Sequence, residues 1–104
     1  MNIAFAGFRH SHIYALYELA KNNRHYDIAG AYESDKKAIA QAEQNGVFIN
    51  YDSFESLLSD TKVEIVALGG CFGERGKMAI ESLKAGKHVI ADNRFVQAFR
   101  SLMK

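Results

Sequence analysis

The 104-residue chain contains no proline and no tryptophan, a single cysteine and almost no excess of either charge. The lone Cys71 excludes an internal disulfide framework and points to a reducing compartment. Thirteen Lys and Arg against twelve Asp and Glu leave a net charge of +1. That supplies no long-range field to attract a phosphate polymer, so no nucleic-acid partner is expected. The nearest basic grouping, Lys84, Lys87, Arg94, Arg100 and Lys104, reads as a solvated face. No apolar run approaches the roughly 18 residues of a membrane span, and the opening MNIAFAGF lacks the basic stretch of a secretion signal. A cytoplasmic chain with no membrane partner is therefore expected. Average usage of about 5% would place roughly five prolines in a chain of this length, so their absence is unusual.

What is present is an ordinary globular composition, 48% hydrophobic and 24% charged, which excludes disorder, collagen and coiled coil. The length suits one domain over residues 1–104, burying roughly two-thirds of its unfolded surface, and leaves no room for a two-domain enzyme. Along the chain the hydrophobic period alternates between that of a strand and that of a helix. Residues 3–6 are short, apolar and β-prone and end at Gly7. Ile13, Leu16, Tyr17 and Ala20 then recur at helical spacing behind Ser11, a candidate N-cap. The unit returns as a strand over 27–32 and a helix over 34–44 with Ala38, Ile39 and Ala42 on one face and Gly46 as its stop. A third strand is predicted over 47–50, followed by a short helix with Asp52 and Glu55 as a capping box and Phe54, Leu57 and Leu58 as its apolar face. Residues 63–68 form a nearly continuous apolar run, as a parallel strand buried on both faces should. A helix over 74–84 that carries Met78, Ile80 and Leu83 and stops at Gly86, a fifth strand over 88–91 and a terminal amphipathic helix placing Phe95, Phe99 and Leu102 together complete the pattern. Five strands alternating with helices imply right-handed crossovers and a doubly wound α/β sheet of Rossmann type, order 3-2-1-4-5.

Ligands of such sheets bind beyond the carboxyl ends of the strands, where the order reverses. The loop there, Gly7-Phe8-Arg9-His10-Ser11-His12, runs straight into a helix and occupies the place of the dinucleotide fingerprint GxGxxG, whose backbone amides receive a pyrophosphate. Only the first glycine is kept; Arg9 and His12 stand where the others belong. Arg9 either contacts phosphate through its guanidinium or blocks the site. Glu33 ends the second strand at the separation where an acid takes the adenosine ribose hydroxyls, and its charge favours NAD over NADP, with Lys36 and Lys37 close behind; the alternative is that it merely caps the following helix. His10, His12, Cys71 and Asp92 fall on one edge of the sheet but lack a metal-specific spacing, so no metal is assigned.

These residues, together with the run Val63-Glu64-Ile65-Val66-Ala67-Leu68 and above all Ala85-Gly86-Lys87-His88-Val89-Ile90-Ala91-Asp92, resemble the N-terminal domain of the glucose-fructose oxidoreductase and inositol dehydrogenase family, Gfo/Idh/MocA. The resemblance spans about residues 1–95. It implies NAD- or NADP-dependent oxidation or reduction of sugars, polyols and related small molecules. Carried over by position, Gly7, Phe8, Arg9 and His10 would face the pyrophosphate, Glu33 the ribose, Gly69, Gly70, Cys71 and Phe72 the nicotinamide side, and Asp92 and Asn93 the start of the family's E-K-P motif. Asn93 stands in place of the lysine of that motif and Arg94 in place of its proline, and the family's substrate domain lies outside these residues. The expectation is therefore a dinucleotide-binding domain with little or no catalysis of its own and no catalytic residue assigned. It would depend on a substrate domain or a homodimeric partner; the alternative is a non-catalytic binding or dimerisation module that has lost the cofactor.

Overall fold

A computed structural model describes residues 1–9, 11–69 and 72–90. Four parallel strands, β1 (Asn2–Ala6), β2 (Asp27–Tyr32), β3 (Ile65–Leu68) and β4 (His88–Ile90), pair in the order β2-β1-β3-β4. The connecting helices are α1 (Ser11–Lys21), α2 (Lys36–Gln44), α3 (Phe54–Ser59) and α4 (Phe72–Lys84). This is the doubly wound α/β architecture the alternating periods imply, and the order reverses between β1 and β3. Among the described residues no helix is long and apolar enough to cross a membrane.

The two faces of β1 organise the core. Side chains along a strand alternate between faces, so Ile3 and Phe5 enter one cluster with Ile13, Leu16, Tyr17, Ala20, Ala42, Ile65 and Ala67. Ala4 and Ala6 enter the other with Leu57, Val63, Val66 and Leu68, backed by Met78, Ala79 and Val89. α1 and α2 therefore cover one face, and α3 and α4 the other. A central strand covered on both sides has no polar position to offer, and all four of Ile3, Ala4, Phe5 and Ala6 are completely buried.

Helix ends follow side-chain chemistry. Asp35 caps α2 by accepting the Ala38 N–H at 3.0 Å. Ser53, rather than the Asp52 expected from sequence, caps α3 by accepting the Ser56 N–H at 3.1 Å. Gly46, with φ of 83°, turns the chain out of α2 in a left-handed conformation suited to glycine.

Three expectations are corrected. Residues 47–50 form no strand. Val47 is buried, Phe48 exposed and Ile49 half-buried, so the alternation is real, but the Val47 N–H closes α2 onto the Ala42 carbonyl at 2.9 Å and no ladder forms. Instead Asn50 reaches the free side of β2: its Oδ1 accepts the Ala31 N–H at 2.8 Å and its Nδ2 donates to the Ala29 carbonyl at 3.4 Å. Gly30 is required beneath it, because a Cβ there would fall on the Asn50 side chain. Second, Ile80 and Leu83 lie 57% and 61% exposed, while Met78, Ala79 and the fully buried Ser82 turn inward. The inward stripe of α4 is thus rotated from the one its largest side chains suggest. Third, Lys87 is not solvated. It is 8% exposed, and its ammonium donates at 2.8 Å to both the Asp60 carbonyl, at the end of α3, and the Val63 carbonyl, ahead of β3. The anticipated 95–103 helix, with Phe95, Phe99 and Leu102, lies outside the described residues.

Candidate functional site

The chain leaves β1 through Gly7, whose φ of 92° is accessible to glycine at little cost. The Gly7 N–H donates to the Tyr32 carbonyl at 2.9 Å, the Phe8 N–H to Glu33 Oε1 at 2.7 Å and the Arg9 N–H to the Gly69 carbonyl at 3.3 Å. Three successive amides are thus spent on holding the loop to the ends of β2 and β3. The Phe8 ring turns into the core, 6.4 Å from Phe5 and 5.6 Å from Tyr14 between centroids. Amides for a pyrophosphate remain in the first turn of α1, where helical N–H groups lack internal partners and the helix dipole favours an anion. That turn carries no acidic residue to oppose one.

Glu33, at the end of β2, has a side chain only 1% accessible. Its Oε1 accepts from Phe8, and its Oε2 accepts the Ser34 and Asp35 N–H groups at 2.8 and 2.9 Å. The Arg9 guanidinium adds a contact of 3.3 Å to the same Oε2 and donates to the Ser34 hydroxyl at 3.2 Å, remaining 26% accessible itself. A carboxylate so enclosed is tolerable because every side of it meets a donor. Its charge reaches further: Tyr14 has its hydroxyl pKa pushed up by burial and then by the negative charge of Glu33. In this arrangement Glu33 knits the β1 loop to the start of α2.

Gly69 follows β3 and answers to close packing. A Cβ there would sit 2.5 Å from the Gly7 carbonyl and 2.8 Å from the Ile13 Cβ. Its own N–H donates to the Ala6 carbonyl at 2.9 Å, which ties the two loops of the reversal together. Beside them opens a cavity of about 230 Å³, lined by Gly7, Arg9, Glu33 and Ser34 on the loop side and by Phe54 and Lys77 from α3 and α4. Sequence reasoning missed those last two. Phe54 follows from the Tyr32 contact it makes, with centroids 6.2 Å apart, but nothing in the spacing of α4 marks Lys77.

The structure therefore brings together Gly7, Phe8, Arg9, Glu33 and Gly69. Phe72 is the first residue of α4, and His10, Gly70, Cys71, Asp92 and Asn93 lie outside the described residues. Among the described residues no group of three or more His, Cys, Asp or Glu is arranged to hold a metal ion.

Comparisons with known proteins agree with this geometry. Residues 1–93 match the family model GFO_IDH_MocA, described as an oxidoreductase family with an NAD-binding Rossmann fold. A comparison with curated proteins finds no match. Among solved structures, the NAD-binding protein of Listeria innocua is 28% identical with a TM-score of 0.72, over 86% of this chain and 26% of that one. The biliverdin reductase of Synechocystis, in complex with biliverdin and NADP+, is 21% identical with a TM-score of 0.72, over 86% of this chain and 28% of its own. An NAD-binding oxidoreductase of Klebsiella pneumoniae is 19% identical with a TM-score of 0.64, over 89% of this chain and 27% of its own. The latter two likenesses show the fold alone. The chain spans about a quarter of the length of each.

Proposed function

The chain belongs to the Gfo/Idh/MocA oxidoreductase family, and on that premise we propose that it is the dinucleotide-holding part of a cytoplasmic dehydrogenase acting on sugars, polyols or related small molecules. The observation that carries this is the left-handed turn at Gly7 leading into the open end of α1, opposite the acid that ends β2. The residues fit the group. The first turn of α1 would receive the pyrophosphate, the cavity between the loop and α4 the adenosine, and Arg9 a phosphate oxygen by a charge-assisted contact. The bound nicotinamide supplies the hydride acceptor or donor. Gly69 keeps the β3 loop close against Gly7, so the two sides of the crevice move as one unit.

Substrate choice and proton transfer fall to residues outside the matched segment, so these 104 residues alone bind cofactor with little turnover. Preference for NAD over NADP requires Glu33 to reach the ribose hydroxyls, hence Arg9 to leave it. A second reading, a non-catalytic module that has lost the cofactor, is favoured by the same Arg9–Glu33 pairing, which closes the loop with the chain's own groups.

Titration with NADH, read by fluorescence, separates the two. Saturable binding that disappears in Gly7→Ala but persists in Gly46→Ala supports the cofactor reading. Both variants put a Cβ at positive φ, but position 46 is open to solvent, away from the cavity. No binding at millimolar NADH or NADPH leaves the module.

A further inference from the structure

Asn45-Gly46 is the chain's one asparagine-glycine step. An asparagine side-chain amide is open to attack by the main-chain nitrogen of the following residue, which closes a five-membered imide. A side chain on that following residue crowds the attacking nitrogen, and glycine has none. Each of the other five asparagines precedes a residue that carries one. Solvent reaches the pair: both residues are exposed at the end of α2, and a Cβ at Gly46 would meet nothing within 4 Å.

The same pair is tethered. Asn45, the C-cap of α2, has φ of −91° and ψ of 10°, and its main-chain N–H is shared between the Gln41 and Ala42 carbonyls at 3.1 and 3.0 Å. Its Nδ2 donates to the Gln41 carbonyl at 2.8 Å. The Gly46 N–H, which carries the attacking nitrogen, donates to the Glu43 carbonyl at 3.1 Å. Nucleophile and electrophile are thus held by different carbonyls, so the closed turn keeps the nitrogen protonated and the amide away from it. Both bonds belong to the exposed last turn of a nine-residue helix, and helix ends are where a fold opens most readily.

We propose that Asn45 is a site of spontaneous covalent modification, converted to aspartate and isoaspartate at a rate set by opening of the last turn of α2. The Gly46 nitrogen bonds to the Asn45 Cγ, the Cγ–Nδ2 bond breaks, and Nδ2 leaves as ammonia with the proton that the Gly46 nitrogen gives up. One water then opens the imide at either carbonyl, with no oxidation or reduction. Either product puts a carboxylate at the end of a helix whose last turn holds no basic residue, where the helix dipole disfavours negative charge. The isoaspartate also adds a methylene to the main chain just ahead of Val47, which is 2% exposed and whose N–H closes α2 onto the Ala42 carbonyl.

The test incubates the full chain at neutral pH and body temperature, with and without guanidinium chloride, and follows it by peptide mapping; an isoaspartyl methyltransferase counts the isomerised residue. The expected result is the amide-to-acid mass gain at Asn45 ahead of every other asparagine, with both acids present. In the folded chain it should run about ten- to hundredfold slower than in denaturant. Gln44→Gly, exposed in the same turn, should raise the folded rate about twofold and leave the denatured rate unchanged. Asn45→Gln, whose longer side chain would have to close a six-membered ring, should abolish the gain. Equal rates with and without denaturant, or a folded rate indifferent to Gln44→Gly, overturn the control by α2. A gain that comes first at another asparagine, one that survives Asn45→Gln, or none in the folded chain over the time of complete conversion in denaturant overturns the site itself.

Discussion

Replacing Glu33 by alanine should destabilise the protein in the absence of any nucleotide. The carboxylate accepts three backbone N–H groups and one guanidinium. Ser34 and Asp35 are exposed, so water takes their N–H groups when the carboxylate is removed. Phe8 is 2% exposed, and its N–H would be left buried without an acceptor. An orphaned buried donor costs about 1–3 kcal/mol, and each rehydrated bond forfeits about 0.5–1.5 kcal/mol of net stabilisation. The expected loss is therefore about 2–6 kcal/mol, a large share of the roughly 5–15 kcal/mol typical of a domain. Arg9→Ala should cost less, because a partly exposed guanidinium contributes little beyond about 1 kcal/mol and the three N–H bonds to Glu33 survive its loss. Urea denaturation followed by circular dichroism measures all of these. A Glu33→Ala loss below about 1 kcal/mol, or one no greater than that of Arg9→Ala, would refute the claim that this acid is chiefly a fastening between β1 and α2.

Gly69→Ala should destabilise by about 1–3 kcal/mol through the collision with the Gly7 carbonyl, whereas Gly76→Ala, with open space around it in α4, should stabilise by about 1 kcal/mol; thermal melts of the pair decide. Lys87→Met should cost about 2–3 kcal/mol because two carbonyls lose their shared donor, and unchanged denaturation would contradict the bonds seen to Asp60 and Val63. Tyr51 donates to Asp60 at 2.7 Å, which holds the Asp60 carboxyl below its ordinary value. Since the folded pKa is the lower one, its stabilisation is present above the unfolded value and fades as pH falls through the folded one. Tyr51→Phe should therefore lose about 1 kcal/mol at neutral pH and progressively less as the pH falls below the ordinary carboxylate range, and a loss independent of pH would rule out the linkage.

Much of this arrangement is legible in the residues. The apolar run over 63–68 reads as a strand covered on both faces, and Ile65–Leu68 is buried throughout. The spacing of Ile13, Leu16, Tyr17 and Ala20 named the inner face of α1, and Gly7 with Glu33 located the crevice. Errors arose where one side chain overrode a pattern. Asn50 satisfies the edge of β2 and so removes the need for the strand that Val47 and Ile49 advertise. In α4, the small residues Ala79 and Ser82 occupy the inward stripe because the helix packs close to the sheet, leaving the larger Ile80 and Leu83 outside. The segment Gly86-Lys87-His88-Val89, the most recognisable in the chain, is distinctive for a structural reason: its lysine fastens the end of α3 to the start of β3. Composition counts Lys87 as a surface charge, and only the tertiary position reveals otherwise. Whether Arg9 contacts a ligand or obstructs one was undecidable from its spacing, since the answer depends on which of its faces Glu33 occupies.

The contact between Asn50 and β2 bears on how the protein behaves in a crowded solution. An edge strand with bare N–H and C=O groups is a template on which a second molecule can extend the sheet, and a parallel, strongly apolar sheet is the most hazardous kind to leave open. Here the middle of that edge is already engaged: Asn50 takes the Ala31 N–H and approaches the Ala29 carbonyl, while the Asn50 and Tyr51 main-chain N–H groups, each 3.2 Å away, share the Ala31 carbonyl. Gly30 lets the side chain lie flat enough to do this. A single polar residue over a single glycine thus guards the β2 side of the sheet against intermolecular strand addition and removes one route to aggregation.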